Sequence, residues 1–168
     1  MHPTHKDVTV EGTAYQIARV SAADGNWILG RWTEKWQERS VQAARSAPQS
    51  APHDAEGIAT APEGAAEPTR GNVAAPTHEE GALAMASFLI ARLSREELAT
   101  VQEICLLRCS RYEEAAGRQV PMPIMVGPGR WAVADLEYNG PVVLRLMQES
   151  VAFNIAPYFI GAGSHARK

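Results

Sequence analysis

The sequence predicts an α+β fold that is mainly α: an N-terminal β-hairpin packed on a small bundle of about four helices, with a disordered Ala/Pro-rich insertion. Residues 8–20 alternate apolar and polar side chains on either side of Glu11-Gly12-Thr13, as two paired strands do. Three later segments carry apolar side chains at helical spacing. Residues 46–78 contain nine Ala, five Pro, three Gly and no aromatic side chain. Such a composition buries too little apolar area to offset its ordering entropy, which predicts a disordered linker.

Residues 1–45 are expected to form the hairpin and a first helix. Ser21, with Asp24 three residues later, is typical of a helix start. Because an isolated hairpin is marginally stable, this unit should return to pack on residues 79–160. Three tryptophans and an isoleucine then share a broad helical face, namely Trp27, Ile28, Trp32 and Trp36. That face either covers the core or forms an aromatic docking surface, for which Trp27 and Trp32 are the candidates.

Residues 79–160 are predicted to form the helical core. A second helix spans 79–93, and Ser94 with Glu97 is a capping box that begins a third. Cys105 and Cys109 are four residues apart, which would place two small core thiols on one face of that helix. Residues 110–139 contain several Pro and Gly and are predicted to be irregular, with short strands at 123–126 and 131–133 around a Gly-Pro-Gly turn.

The last helix is predicted to begin at Pro141 and to stop before Pro157, which cannot continue a helix. Its apolar face has one amide in it: Val143, Leu146, Met147, Ser150, Val151 and Asn154. Asn154 either ends the helix in a left-handed conformation or contacts a partner. Tyr158 and Phe159 should leave in a new direction, followed by a flexible tail at 161–168.

No set of residues predicts catalysis, a cofactor or a metal site. The cysteine pair lacks a second pair of ligands, and Gly127-Pro128-Gly129-Arg130 lacks the Lys-Ser/Thr of a phosphate loop. The formal net charge is −3, and the basic residues form no stripe, which argues against nucleic acid. With no apolar segment resembling a signal peptide or a membrane span, we expect a soluble cytoplasmic protein that is not an enzyme.

The order of these segments resembles the small tail assembly chaperones of long-tailed bacteriophages and prophages. The matching stretches are VTVEGTAYQIARVSAADG, a helix pair that ends in ICLLRCSRYE, a Pro/Gly-rich segment, and a helix that closes with VAFNIAPYF. Within them, Tyr15-Gln16-Ile17 and Phe153-Asn154 with Tyr158 and Phe159 carry the likeness. It covers residues 7–36 and 83–160, while the insertion departs from the family pattern.

The resemblance implies a mainly helical, non-enzymatic protein of the host cytoplasm. Such a protein binds and solubilises the tape-measure protein during tail morphogenesis, with the major tail protein as a further candidate partner and a homo-oligomer compatible with the role. It implies no membrane or nucleic-acid partner. The candidate partner-binding residues are Trp27, Trp32, Met147, Asn154, Tyr158 and Phe159. The alternatives are a minor structural tail or connector protein retained in the virion and, third, a small enzyme or DNA-binding regulator.

Overall fold

A four-stranded antiparallel sheet and five helices share one apolar core in the computed structural model, which describes residues 3–46 and 77–160. The elements in chain order are β1 (His5–Val10), β2 (Thr13–Ala18), α1 (Ala22–Ser46), α2 (His78–Ile90), α3 (Arg95–Leu106), β3 (Cys109–Ala115), β4 (Arg118–Pro123), β5 (Met125–Gly127), β6 (Arg130–Trp131), α4 (Ala134–Glu137) and α5 (Gly140–Ile160). The fold is therefore mixed α and β, and the prediction of a mainly helical protein is only partly right.

The predicted N-terminal hairpin is confirmed as β1 and β2, paired from His5 with Ala18 to Val10 with Thr13. Its turn residues Glu11 and Gly12 have φ of 48° and 78°. Two consecutive positive φ values match the right-handed twist of a tight hairpin, and glycine adopts them without strain.

The prediction that residues 110–139 are irregular is wrong for the first half of this stretch. β3 and β4 form a second hairpin, which β3 joins to β2 in the strand order β1-β2-β3-β4. Pro121 and Pro123 lie in β4, at the edge of the sheet, where a missing N–H need not interrupt a ladder. The predicted strand pair around the Gly-Pro-Gly turn is confirmed as β5 and β6.

Side chains cap the first three helices. The Ser21 Oγ accepts from the Asp24 N–H at 3.1 Å, ahead of α1. The predicted capping box at Ser94 is confirmed, because the Glu97 N–H donates to the Ser94 Oγ at 3.2 Å and the Ser94 N–H donates to Glu97 at 2.8 Å. Thr77 and Glu80 make the same box at the start of α2. Thr77 and His78 therefore belong to α2 and its cap, although the predicted linker 46–78 included them. The remainder of that linker and the tail at 161–168 lie outside the described residues.

α5 is the centre of the core, and its predicted apolar face is buried. Four further apolar residues on other sides of the helix are buried too: Val142, Ala152, Phe153 and Ile155. The one-sided stripe of the prediction is therefore too narrow. Strand β2, helix α1 and α5 contribute to a single buried cluster, so the expected return of residues 1–45 onto residues 79–160 is confirmed.

α5 does not stop at Pro157, and this prediction is wrong. The helix runs on to Ile160 with Pro157 inside it. Proline has no N–H to offer the carbonyl four residues earlier, which belongs to Phe153. The Arg19 Nη1 donates to that carbonyl oxygen instead. A distant side chain therefore satisfies the acceptor that proline leaves unbonded.

Candidate partner-binding surface

A row of aromatic rings lies where α1 meets α2. The Trp32 and Trp36 rings stack with centroids 5.6 Å apart and an interplanar angle of 14°. Trp36 in turn meets Phe88 of α2 edge-on, at 5.6 Å and 70°. Spacing of four along α1 places the two tryptophans on one face, and the packing of α2 brings Phe88 to its end.

Two arginines frame the end of this row. The Arg39 Cζ lies 5.5 Å from the centroid of the Trp36 ring and 5.3 Å from that of Phe88. The Arg92 Cζ lies 4.7 Å from the Phe88 centroid. Trp36 is 43% exposed, Phe88 is half-buried, and both arginines are exposed. We call these four residues, Trp36, Arg39, Phe88 and Arg92, the aromatic–arginine patch.

Two other cations of α1 are already paired. Arg31 contacts Glu34 at 2.7 Å and Glu97 at 3.4 Å, and Lys35 lies 3.7 Å from Glu38. Within residues 3–46 and 77–160, by contrast, neither Arg39 nor Arg92 forms an ion pair. The patch therefore presents two positive charges that have no ion-pair partner within those residues.

The predicted docking residues Trp27 and Trp32 are both half-buried and pack against the core, and Trp32 is part of the aromatic row. Trp27 carries the Arg31 guanidinium 5.5 Å from its ring centroid, and Trp32 supports Trp36 from behind. The more exposed Trp36 and the half-buried Phe88 were not among the candidates. The four-residue spacing of Trp32 and Trp36 could have pointed to Trp36, whereas only tertiary packing places Phe88 beside it.

The remaining candidates belong to α5, and two of them are buried. Met147 is 2% exposed and fills the core. Asn154 is 6% exposed; its Oδ1 accepts from the Val20 N–H at 3.1 Å and its Nδ2 donates to the Ser150 carbonyl at 2.8 Å. The prediction that Asn154 ends the helix is wrong, because it lies within α5 and ties it to the β2–α1 connection. Neither residue is exposed to a partner in this structure.

Tyr158 is 47% exposed in the last turn of α5, and the Phe159 side chain lies outside the described residues. Tyr158 borders a shallow cavity of about 210 Å³ against the start of α1. A Cβ on Gly25 would lie 3.7 Å from the Tyr158 hydroxyl, an ordinary contact distance, so the Tyr158 side chain lies close to α1. Continuation of the helix through Pro157 therefore holds Tyr158 against α1 instead of releasing it in a new direction.

A second cavity, of about 350 Å³, lies between β1, the start of α2 and α5. Its floor is apolar, from Ala82, Ala152 and Phe153, and Lys6 closes one side. The Lys6 Nζ binds Glu79 and lies 3.0 Å from the Glu149 Oε2. Burial works to lower the pKa of Lys6, but the hydrogen bonds to the two carboxylates outweigh it and raise that pKa above 10.5. Lys6 is therefore a cationic tie between elements and a poor nucleophile.

The two cysteines are both buried, as predicted, but they do not share a helix. α3 ends at Leu106 and Cys109 begins β3, so the expected helical pair is wrong. The Cys109 Sγ donates to the Cys105 carbonyl at 3.3 Å. Burial raises the pKa of Cys105 to about 12, and burial raises the pKa of Cys109 as well. Both thiols therefore stay protonated and enclosed.

Across the described ranges, no three His, Cys, Asp or Glu side chains are placed to hold a metal ion together. None of the helices in those ranges combines the length and apolar character that crossing a bilayer requires. Comparison of the chain with protein-family models, with curated proteins and with solved structures finds no match. Function is therefore inferred from the chemistry of the surface where α1 meets α2.

Proposed function

We propose that the protein is a phage tail assembly chaperone of the host cytoplasm that binds and solubilises the tape-measure protein through the exposed aromatic surface at the α1–α2 junction. The observation that carries the proposal is the row of Trp32, Trp36 and Phe88, whose central ring, Trp36, is 43% exposed. Tryptophan and arginine are enriched among the few residues that supply most of the binding free energy at protein interfaces.

A chaperone of this kind needs an apolar surface on a stable scaffold. Trp36 can meet apolar side chains of a partner helix without rearrangement, because Trp32 supports one face of its ring and Phe88 one edge. The residues that anchor this surface, Ile28 and Leu89, are fully buried in the common core. The rings therefore project from α1 and α2, and both helices are fixed by residues that pack in the core.

Co-expression with the tape-measure protein of the same phage tests the proposal. The wild-type chain should increase the soluble fraction of that protein several-fold, and Trp36→Ala should remove most of the increase. Tyr138→Ala is the matched control, because Tyr138 is 85% exposed and lies outside the aromatic row. This substitution also removes an aromatic ring and should leave the increase in solubility unchanged. If the tape-measure protein is no more soluble with the wild-type chain present, the proposal is wrong.

A minor structural tail or connector protein retained in the virion is the second candidate. The observation that favours it is the end of α1, where residues 37–46 are all exposed and form a helical arm beyond the core. Such an arm suits a subunit that is fixed to its neighbours in an assembly. Mass spectrometry of purified virions separates the candidates, since a chaperone should be nearly absent from them and a connector should be present in stoichiometric amounts.

A further inference from the structure

We propose that the aromatic–arginine patch takes an acidic amphipathic segment of a partner protein, with apolar side chains against Trp36 and Phe88 and carboxylates on Arg39 and Arg92. The inference rests on the proposed function, since it names the chemistry of the tape-measure segment that this surface would bind. It also predicts that the bound segment carries negative charge, which aromatic contact alone does not require.

The geometry of the two arginines favours a carboxylate. A guanidinium that stacks on a ring uses its flat face, and the N–H groups at its edge remain free to donate. Arg39 stacks near two rings and Arg92 near one, and neither has a carboxylate partner within the described residues. Arg111 uses its N–H groups in this way elsewhere in the protein, since its Nη2 lies 2.6 Å from Glu113 and its Nη1 lies 3.0 Å from Asp135. Arg39 and Arg92 likewise each offer N–H groups that can donate to a carboxylate.

The rings between the arginines require the segment to be apolar as well. Trp36 is exposed over nearly half of its surface, and the half-buried Phe88 lies directly beside it. A purely acidic peptide would leave both rings in water. An amphipathic segment with an apolar stripe between two acidic edges satisfies the rings and the guanidinium groups together.

The charge balance around the patch favours a protein over a nucleic acid. Glu34 and Glu38 are exposed on the same helix, and the chain has a net charge of −3. Nucleic-acid binding draws its affinity from many phosphate contacts, each needing a cation. Two uncompensated arginines can pair with a few carboxylates but supply too few cations to hold a polyanion.

Two synthetic amphipathic helical peptides provide the test. Both carry the same Leu/Phe stripe, flanked by Glu in one and by Lys in the other, and binding to the full-length chain is followed by fluorescence anisotropy. The Glu peptide should bind about tenfold or more tightly than the Lys peptide. The preference should shrink as salt is raised, because the arginines are exposed. Equal affinity for the two peptides would overturn the proposal, as would tighter binding of a single-stranded oligo-dT.

Charge reversal locates the effect. Arg39→Glu combined with Arg92→Glu should invert the preference, whereas Arg118→Glu combined with Arg130→Glu makes the same charge change on exposed strand residues and should leave it intact. Inversion by both pairs would show a general field effect and overturn the assignment to the patch. Binding of the tape-measure protein that depends on Trp36 but not on the two arginines would refute this inference and leave the proposed function standing. A preference for the Glu peptide without binding of the tape-measure protein would refute the proposed function and leave this inference standing.

Discussion

The Arg19 guanidinium donates to the carbonyl oxygen of Phe153 and lies 3.7 Å from the centroid of the Phe153 ring. One side chain therefore satisfies the backbone and covers the aromatic ring of the same residue. The carbonyl is the one that Pro157 leaves without its helical donor. This contact joins the end of β2 to α5 and lets α5 run through its proline.

The first prediction is a coupling between Arg19 and Pro157. Arg19→Met should lower the free energy of unfolding by about 1–3 kcal/mol, because the Phe153 carbonyl loses its donor while partly buried. In a Pro157→Ala background the restored N–H can take over that carbonyl, so the same substitution should cost clearly less. Urea unfolding of the four proteins in a double-mutant cycle measures the difference. Equal costs of Arg19→Met in both backgrounds would show that the two residues are independent.

The second prediction concerns Asn154. Asn154→Ala should destabilise the fold by about 1–3 kcal/mol, because the Val20 N–H loses its acceptor and a buried site loses an amide. Asn26→Ala is the control: Asn26 is exposed on α1, and its replacement should change stability by about 0.5 kcal/mol or less. Thermal unfolding compares the two. A stable Asn154→Ala protein that fails only in partner binding would contradict the structural role of this amide.

The third prediction concerns the ion pairs of Lys6. Lys6→Met should lower the free energy of unfolding by about 1–2 kcal/mol at neutral pH, since it removes one cation from Glu149, which is 8% exposed. Glu79→Gln removes only the exposed partner and should cost about 0.5 kcal/mol or less. Chemical unfolding of both variants at pH 7 gives the comparison. If Glu79→Gln is the more damaging substitution, the burial argument is wrong.

The same ion pairs predict a pH window. The pKa of Lys6 is raised, so its stabilising contribution is complete below 10.5 and is lost as the pH rises through the folded value. The hydrogen bond from Lys6 lowers the pKa of Glu79, whose contribution is complete above 4.5 and is lost as the pH falls through the folded value. The stability difference between wild type and Lys6→Met should therefore be flat between these limits and shrink on both sides. Unfolding curves from acid to alkaline pH check this, and a difference that persists unchanged in acid would contradict it.

The fourth prediction is that neither thiol reacts in the native protein. Cys105 and Cys109 are fully enclosed and their pKa values are raised, so a disulfide reagent at pH 8 should find almost no thiolate. Denaturant should release both of the chain's two thiols. Ala99→Cys, at an exposed position of α3, is the positive control and should react at once. Rapid native labelling of a wild-type thiol would show that the core opens readily.

Local signals were enough to predict several elements. The alternation of apolar and polar side chains on either side of Glu11-Gly12-Thr13 predicted the first hairpin, because that pattern depends only on residues close in the chain. Ser94 with Glu97 predicted the start of α3, because the reciprocal capping bonds involve only residues three apart. The spacing of Leu146, Ser150 and Val151 predicted the buried face of α5, because residues about four apart in the chain lie on the same side of a helix.

Proline was misinterpreted where its effect depended on distant residues. Pro121 and Pro123 suggested an irregular segment, but they lie in a strand whose other side has no neighbour in the sheet. Pro157 suggested a helix end, but its free carbonyl is bonded by Arg19, 134 residues away from Phe153 in the chain. In each case the lack of an N–H follows from the proline itself. Whether that lack lowers stability depends on the surrounding tertiary structure.

The sequence by itself determined the first hairpin, the starts of α1 and α3 and the apolar face of α5, because each depends on backbone preferences and hydrogen bonds between close neighbours. Only the tertiary structure decided the four-stranded sheet, the burial of Asn154 and the meeting of Trp36 with Phe88 and the two arginines. These features join residues from distant parts of the chain. Their free energy comes from contacts that exist only when the helices and the sheet share one core.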